Sequence, residues 1–383
     1  MKLLYLSDIL NVHDKNYLEQ FCGASIVVKL CTFFHREERL PQFLNNFDIK
    51  ISHTRYSTYP DGYKASNNRL IRHLTYVREE KEALSEVKKE IDEFKPDVVF
   101  AQWALTGGYL AALSGFKPTI LFAWGSDVLI LPFSNPFYTE RVIKSLTNAN
   151  IVLFSAKHVM NAAKVLTCNS IKHPIFLPCE LDSNKFKPLK ENVVLKKDIQ
   201  FERCDIIIST RPLKILYGID ILIRAFAKMS LDYPMLRLLI VGEGEELHNL
   251  ISLTESLNIK KRVLFKGFVL NEDLIDFLSV SSFYVSCSYS ESTSLGMLEA
   301  MSCGLPAILS DNPSSFEWVD EGINGFIFKR GNVESLSDKL VKMMLNKKNW
   351  PIYGKENICR VKMSADRNKN FPVLLSHIQK LIK

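Results

Sequence analysis

Short apolar runs alternate with longer amphipathic stretches twice over in this chain, and the alternation breaks once, near residue 188. Strands buried on both faces read as near-continuous apolar runs, and parallel strands need a crossover between them. The pattern therefore predicts an α/β fold with two parallel, doubly wound sheets. In the first half the strand-like runs are residues 2–6, 24–30, 98–101, 119–122 and 151–154, with helical stretches between them, notably the charged 78–93. Phe186-Lys187-Pro188 followed by the polar stretch 190–198 reads as a linker. A second series follows, with strands expected at 205–209, 236–241, 263–266 and 283–287 and helices at 218–229, 245–257 and 272–280. With 383 residues there is length for two domains, expected at 1–188 and 189–364, with a final helix within 365–383 that packs back on the first.

One segment carries chemistry. From Glu291 to Glu299 the chain reads Glu-Ser-Thr-Ser-Leu-Gly-Met-Leu-Glu, and it continues Ala-Met-Ser-Cys-Gly-Leu-Pro to Pro306. Residues 295–303 form a helix-compatible run, Thr293 and Ser294 supply caps, Gly304 suits a left-handed close, and Pro306 prevents continuation. Unpaired amide N–H groups in the first turn, together with the helix dipole, favour an anion beside Thr293, Ser294 and Leu295. Glu299 lies about 6 Å further along the axis at about 1.5 Å per residue, the separation of a phosphate from a ribose. Glu291, ahead of the helix, reaches past the phosphate toward whatever is attached. An ordinary capped helix with two solvent-facing glutamates has the same spacing, and spacing alone does not separate the two readings. Position in the chain does. The segment follows the strand expected at 283–287, and open parallel sheets bind ligands at strand carboxyl ends. Two such domains also create a cleft between them, a second common place for a small-molecule site.

Composition narrows the alternatives. Eight cysteines are scattered with no Cys-x-x-Cys pair, which points to free thiols in a reducing compartment and away from a metal site. The most apolar stretch, 98–116, is interrupted by Gln102, Thr106, Gly107, Gly108, Ser114 and Gly115, so no membrane span is expected. Residues 1–8 lack a long hydrophobic region and a cleavage site and read as a first core strand, consistent with a cytoplasmic protein. Part of the net charge of +7 is local: Lys50, Arg55, Lys64, Arg69, Arg72 and Arg78 stand against Asp61, among Tyr56, Tyr59, Tyr63 and Tyr76. A solvated surface is the simpler reading. Peripheral association with the cytoplasmic face of a membrane, or contact with an anionic acceptor, is the sharper one. No motif points to nucleic acid.

Three further stretches converge on the same strand ends. Thr210 to Gly218 contains Arg211 and Lys214, both suited to neutralising a diphosphate. Gly242 and Gly244 form a turn that lets a nucleotide approach the backbone, and Lys266-Gly-Phe-Val269 ends another strand. Each alone is an ordinary strand-to-helix turn. Their order and spacing, however, together with Glu-x7-Glu from 291 to 299 and Asn-Gly-Phe-Ile-Phe at 324–328, resemble the retaining family-4 glycosyltransferases of the GT-B fold. The resemblance covers most of 205–330 closely and the rest of the chain more loosely.

The resemblance implies two Rossmann-like domains facing a cleft, the first on the acceptor side and the second holding a nucleotide diphosphate sugar. On that pattern Arg211 binds the diphosphate and Gly242 lines the donor site. Thr293, Ser294 and Leu295 contact phosphate through their backbone, Glu299 holds the ribose, and Glu291 holds donor-sugar hydroxyls near the anomeric carbon. Relatives carry a lysine just before the loop glycine; here the residue is Tyr217, and Lys214 is the nearest substitute. In the first domain, Phe122-Ala-Trp-Gly-Ser-Asp127 aligns where many relatives read His-Gly-x-Asp, so Trp124 replaces the histidine and Asp127 is retained. Trp124 offers an indole N–H or a stacking face. Asp127 contacts sugar or acceptor, or caps its own turn. The loop 7–14 lacks the paired glycines of many relatives, and its His13 faces the acceptor or is a plain surface histidine.

The reaction so implied moves a sugar from its nucleotide diphosphate carrier to a hydroxyl of a glycan or lipid-linked acceptor, with no cofactor and no metal. The competing expectation is a non-catalytic nucleotide-sugar-binding partner protein of the same fold.

Overall fold

The computed structural model describes residues 1–7, 12–33, 44–45, 49–54, 56 and 69–383. Most of the loop 7–14 ahead of His13 and most of the basic stretch between Lys50 and Arg69 lie outside the described residues. The chain divides into two compact units, Met1–Glu180 with Asn370–Lys383, and Leu181–Lys369.

In the first unit the described strands are β1 (Lys2–Ser7), β2 (Val27–Phe33), β3 (Lys50–Thr54), β4 (Val98–Gln102), β5 (Thr119–Ala123), β6 (Ile151–Phe154) and β7 (Pro174–Phe176). They form one sheet in the order β3-β2-β1-β4-β5-β6-β7 with parallel pairings throughout. Side chains alternate between two cores: Leu4, Leu6, Val99, Ala101 and Leu121 enter one, while Leu3, Tyr5, Val98, Phe100 and Ile120 enter the other. Burial on both faces is why these strands read as continuous apolar runs.

The sequence placed the second strand at 24–30, but β2 starts at Val27. The amide of Ala24 still bonds back to the Gln20 carbonyl at 3.1 Å and Ser25 takes a left-handed φ of 56°, so a turn consumes these residues. Strands β3 and β7 carry too little apolar signal to be read: β3 is Lys-Ile-Ser-His-Thr at the sheet edge, and β7 has three residues beginning with proline. The charged helix expected at 78–93 runs from Arg69 to Phe94.

The second unit holds β8 (Asp205–Ser209), β9 (Leu236–Val241), β10 (Val263–Gly267), β11 (Phe283–Ser286), β12 (Ala307–Ser310) and β13 (Gly325–Phe328), parallel in the order β10-β9-β8-β11-β12-β13. Chain direction across the sheet reverses between β8 and β11, the topological switch point at whose carboxyl ends such sheets bind ligands. Thr210-Arg211 follows β8 and the Glu291–Glu299 segment follows β11, so the sheet order delivers both to one crevice.

The division between the units falls ahead of the linker read around residue 188, because Phe186 and Pro188 belong to the second unit's packing. Phe186 is buried and its carbonyl accepts from Ser302 Oγ. Pro188 lies close to Gly304. The last helix, Arg367–Leu381, enters the first unit at Asn370: its amide donates to the Pro178 carbonyl at 2.7 Å, and Phe371 meets Phe21 edge-on with ring centroids 5.3 Å apart.

Candidate functional site

Local geometry at the β8/β11 crevice is set by close backbone approach. Gly242, after β9, has φ of 147°, and a Cβ there would lie 2.4 Å from the Arg211 carbonyl oxygen, so only glycine lets the two loops meet. Gly296, in the first turn of the helix Leu295–Ser302, presses on Thr210, where a Cβ would come within 2.4 Å of Oγ1. Ser294 is the N-cap of that helix, with φ of −73° and ψ of 120°, and its Oγ accepts from the Met297 amide at 3.3 Å. Gly304 closes the helix at φ of 85°.

Arg211 sits at the centre, 9% exposed. Its Nη1 donates to Ser294 Oγ at 2.7 Å and its Nη2 to Glu291 Oε2 at 2.6 Å. The ring of Tyr217 lies over the guanidinium, 4.3 Å from centroid to Cζ. Tyr284, wholly buried in β11, packs its hydroxyl beside this group, and burial lifts its pKa above the ordinary tyrosine range. Burial is the largest single effect on Arg211 and works against its charge, but the Glu291 carboxylate, Tyr284 and Tyr217 together outweigh it, so its pKa rises above the usual arginine value. The result is a permanent cation fixed against a helix N-terminus, a ready seat for a planar or tetrahedral oxyanion.

Neither glutamate of the segment is a free surface group. Glu291 has a side chain 18% exposed and bound to Arg211, while Glu299 is buried and accepts from Asn271 Nδ2 at 3.0 Å. Asn271 lies in the segment after β10 and was not singled out in the sequence, where nothing distinguishes it from other polar loop residues. Thr293 Oγ1 accepts from Trp318 Nε1 at 3.3 Å, and Leu295 opens the helix. The Glu243 carboxylate takes the Phe268 amide at 3.2 Å, tying the turn after β9 to the one after β10. Lys214 is exposed, at the extended position before the short turn Ile215–Tyr217. What lies against Arg211 is the tyrosine ring.

In the first unit, Asp127 is wholly buried. One carboxylate oxygen accepts from the amides of Trp124 at 3.1 Å and Gly125 at 2.8 Å, the other from Ala104 at 2.9 Å. Desolvation raises its pKa against the pull of these amides. Of the two readings of Asp127, contact with sugar or acceptor and a cap on its own turn, the geometry is that of the cap: the carboxylate holds the loop after β5 against the π-helical turn Trp103–Gly107. It presents no oxygen outward.

Trp124 donates its indole N–H to Gln102 Oε1; Gln102 Nε2 donates to the Tyr5 hydroxyl at 2.8 Å, which donates to Asp14 Oδ1 at 2.9 Å. Of the two uses foreseen for this indole, the N–H is taken within the unit. Its ring meets that of His13 at 4.6 Å and stacks on Trp103 at 6.3 Å. His13 is no lone surface histidine, since its Nδ1 lies 2.9 Å from Oε2 of the buried Glu180. Trp103 holds φ of 62°, a conformation a tryptophan adopts only under constraint, at the start of a π-turn. A polar residue and an aromatic at the carboxyl end of β4 are the sequence signal that was available for Gln102 and Trp103.

Among the described residues, no cluster of three or more His, Cys, Asp and Glu side chains is arranged to hold a metal ion, and no helix is long and apolar enough to cross a membrane.

Comparison with known proteins bears on the fold and the family. A family model described as glycosyl transferases group 1 matches residues 195–381, and one described as glycosyl transferase 4-like matches 34–156. Among curated proteins, the chain is 23% identical over 228 residues to N-acetyl-alpha-D-glucosaminyl L-malate synthase of Bacillus anthracis, covering 57% of this chain and 56% of that one. It is 30% identical over 139 residues to the putative glycosyltransferase EpsD of Bacillus subtilis, covering 36% of this chain and 34% of EpsD. These matches thus span between about a third and just over half of the relatives' length. Among solved structures, Anabaena Alr3699/HepE in complex with UDP superposes with a TM-score of 0.80 at 16% identity, covering 100% of both chains. Sucrose-phosphate synthase from Thermosynechococcus elongatus does so at 0.78 and 16%, covering 100% of this chain and 99% of that one.

Proposed function

This chain belongs to the family-4-type glycosyltransferases of the GT-B fold, and from that premise we propose that it moves a sugar from a nucleotide diphosphate sugar to an acceptor hydroxyl. The transfer retains the anomeric configuration and serves glycan, polysaccharide or glycolipid assembly. The observation that carries this reading is Arg211, held between Ser294 at a helix N-terminus and Glu291 at the switch point of the second sheet.

As the bond from anomeric carbon to phosphate oxygen breaks, negative charge collects on the diphosphate and positive charge on the sugar ring. Arg211 and the amides of the first helical turn stabilise the diphosphate, and they are in place before the reaction begins. In this scheme the positive field comes from the chain itself and not from a divalent ion. The acceptor oxygen attacks on the face the phosphate leaves, and its proton passes to the departing phosphate oxygen, so configuration is kept without a covalent enzyme intermediate. Glu299 with Asn271 holds the ribose, while Glu291, once phosphate has taken Arg211, holds hydroxyls of the donor sugar. On the first unit, His13 and Trp124 stand on the acceptor side.

The test is release of nucleoside diphosphate from a panel of nucleotide sugars and acceptors, with and without chelator. Glu291→Gln should lower transfer at least about 100-fold while nucleoside diphosphate still binds, because a carboxylate acting on the sugar is lost and Arg211 is freed. Transfer within about tenfold of wild type would remove Glu291 from the chemistry. A second reading, a non-catalytic nucleotide-sugar-binding partner, draws support from Trp124, whose N–H is donated to Gln102; it predicts binding with no turnover in the same panel. A lipid-linked or anionic acceptor at the cytoplasmic face of a membrane predicts association with anionic vesicles that is lost at high salt.

A further inference from the structure

Three of the side chains around Arg211 do different jobs. Ser294 offers one hydrogen bond, and Glu291 offers another that a phosphate must displace if the guanidinium is to serve a donor. The third is the half-buried ring of Tyr217, 4.3 Å from Cζ, on the same loop and just ahead of Gly218. A ring over the flat face of a guanidinium makes no demand on its N–H edge. It attracts the charge through its quadrupole and fixes the plane, leaving every N–H free for in-plane acceptors.

We propose that Tyr217 is a positioning residue for donor binding: its ring holds the Arg211 guanidinium at the helix N-terminus while the carboxylate of Glu291 is exchanged for the donor's diphosphate. The proposal rests on the reading of Arg211 as the diphosphate ligand. During that exchange the guanidinium loses its bond to Glu291, and the ring stays on with Ser294 throughout. Where the sequence comparison led us to expect a second cation, the chain has an aromatic that immobilises the first. Tyr217 touches no phosphate itself, so it acts on affinity through Arg211 alone.

The test uses the full-length protein and calorimetric titration with UDP, GDP and ADP, the tightest of which becomes the probe. Tyr217→Leu and Tyr217→Gln, two variants so that one poorly folded protein does not decide the matter, should each weaken the probe by about 2- to 30-fold. Tyr217→Phe, which keeps the ring, should recover binding to within about twofold of wild type, because the attraction belongs to the ring face. Donor KM should rise with little change in kcat, and acceptor KM should stay put. In an Arg211→Ala background the Tyr217→Leu change should add nothing, as expected when one residue acts only through another. Wild-type affinity in both Leu and Gln variants overturns the proposal, as does a loss that repeats in full without Arg211. If Arg211→Ala binds the probe like wild type, or none of the three nucleotides binds, the donor-site reading itself fails and takes this proposal with it.

Discussion

Ser294 does two things with one oxygen, and two substitutions separate them. Its Oγ accepts from the Met297 amide, capping the helix, and from Arg211 Nη1, fixing the cation. In Ser294→Ala both bonds go. Loss of a cap costs about 1 kcal/mol and loss of a bond to a charged group about 1.5–3 kcal/mol. The two are not additive, because Arg211 keeps Glu291, so about 2–3 kcal/mol of the second unit's stability should be lost. For a unit of this size that lowers the melting temperature by about 5–10 °C. Ser294→Asp keeps the cap, adds a favourable charge at the helix start of about 0.3–1 kcal/mol, and still pairs with Arg211. It also sets a carboxylate beside the proposed phosphate seat, at a separation taken as about 5 Å for two anions sharing one guanidinium. At an effective dielectric constant of about 20 that repulsion is about 3 kcal/mol per unit charge, more than 100-fold in affinity. Thermal melts without ligand and calorimetric titration with nucleoside diphosphate should therefore rank the proteins differently: Ala as the least stable, Asp as the weakest binder. An Asp variant that binds like wild type, or an Ala variant that melts and binds like wild type, would refute the placement of the anion at this helix.

Asn271→Ala removes one hydrogen bond, worth about 1 kcal/mol, from Glu299. If Glu299 reads the ribose, preference for UDP over its 2′-deoxy analogue should fall about fivefold, and equal loss of both ligands would show that Asn271 supports only the fold. Asp127→Asn turns a donor NH2 toward a backbone N–H at one of three satisfied amides and should destabilise the first unit by about 1–3 kcal/mol, seen in thermal melts. Its pH dependence has a definite sign. Burial lifts the carboxyl of Asp127 above its ordinary value, so the folded chain keeps a proton that the unfolded chain has lost. That contribution is present below about pH 4 and disappears as pH rises through the native value. The melting-temperature gap between wild type and Asp127→Asn should accordingly narrow as pH rises from about 4, and a widening gap would refute the sign.

How far the sequence could be read depended on whether a residue's partners are near in the chain or in the same pattern. Strands β8 and β9 match the expected 205–209 and 236–241 because both are buried on two faces and read as unbroken apolar runs. Edge strand β3 has polar residues in its sequence and no such run. The crevice was legible because both loops follow expected strands and open parallel sheets bind ligands at strand carboxyl ends, although only the sheet order shows β8 and β11 to be neighbours. Side-chain partners were not. Arg211 and Glu291 are 80 residues apart and Asn271 and Glu299 are 28 apart, and no local rule pairs them. Tyr217 read as a missing charge, whereas in three dimensions it is a ring on the charge that remains.

Burial does not sort the candidate residues, since Arg211 at 9% and Asp127 at 0% are both inside. What differs is whether their partners can be exchanged. Asp127 is bound by three backbone amides, fixed by the strand end and the π-turn that contain them, and releasing the carboxylate means unfolding those loops. Arg211 is bound by two side chains, one of which, Glu291, is partly exposed, so an incoming anion that took its place would exchange one charge-assisted bond for another. Glu299 with Asn271, and His13 with Glu180, also meet through their side chains. A charge held by backbone builds the site, and a charge held by side chains is available to a ligand. On the proposed reading of the site, Arg211, Glu291, Glu299 and the His13–Glu180 pair are then the charges whose partners a ligand could exchange, while Asp127 belongs to the frame around Trp124.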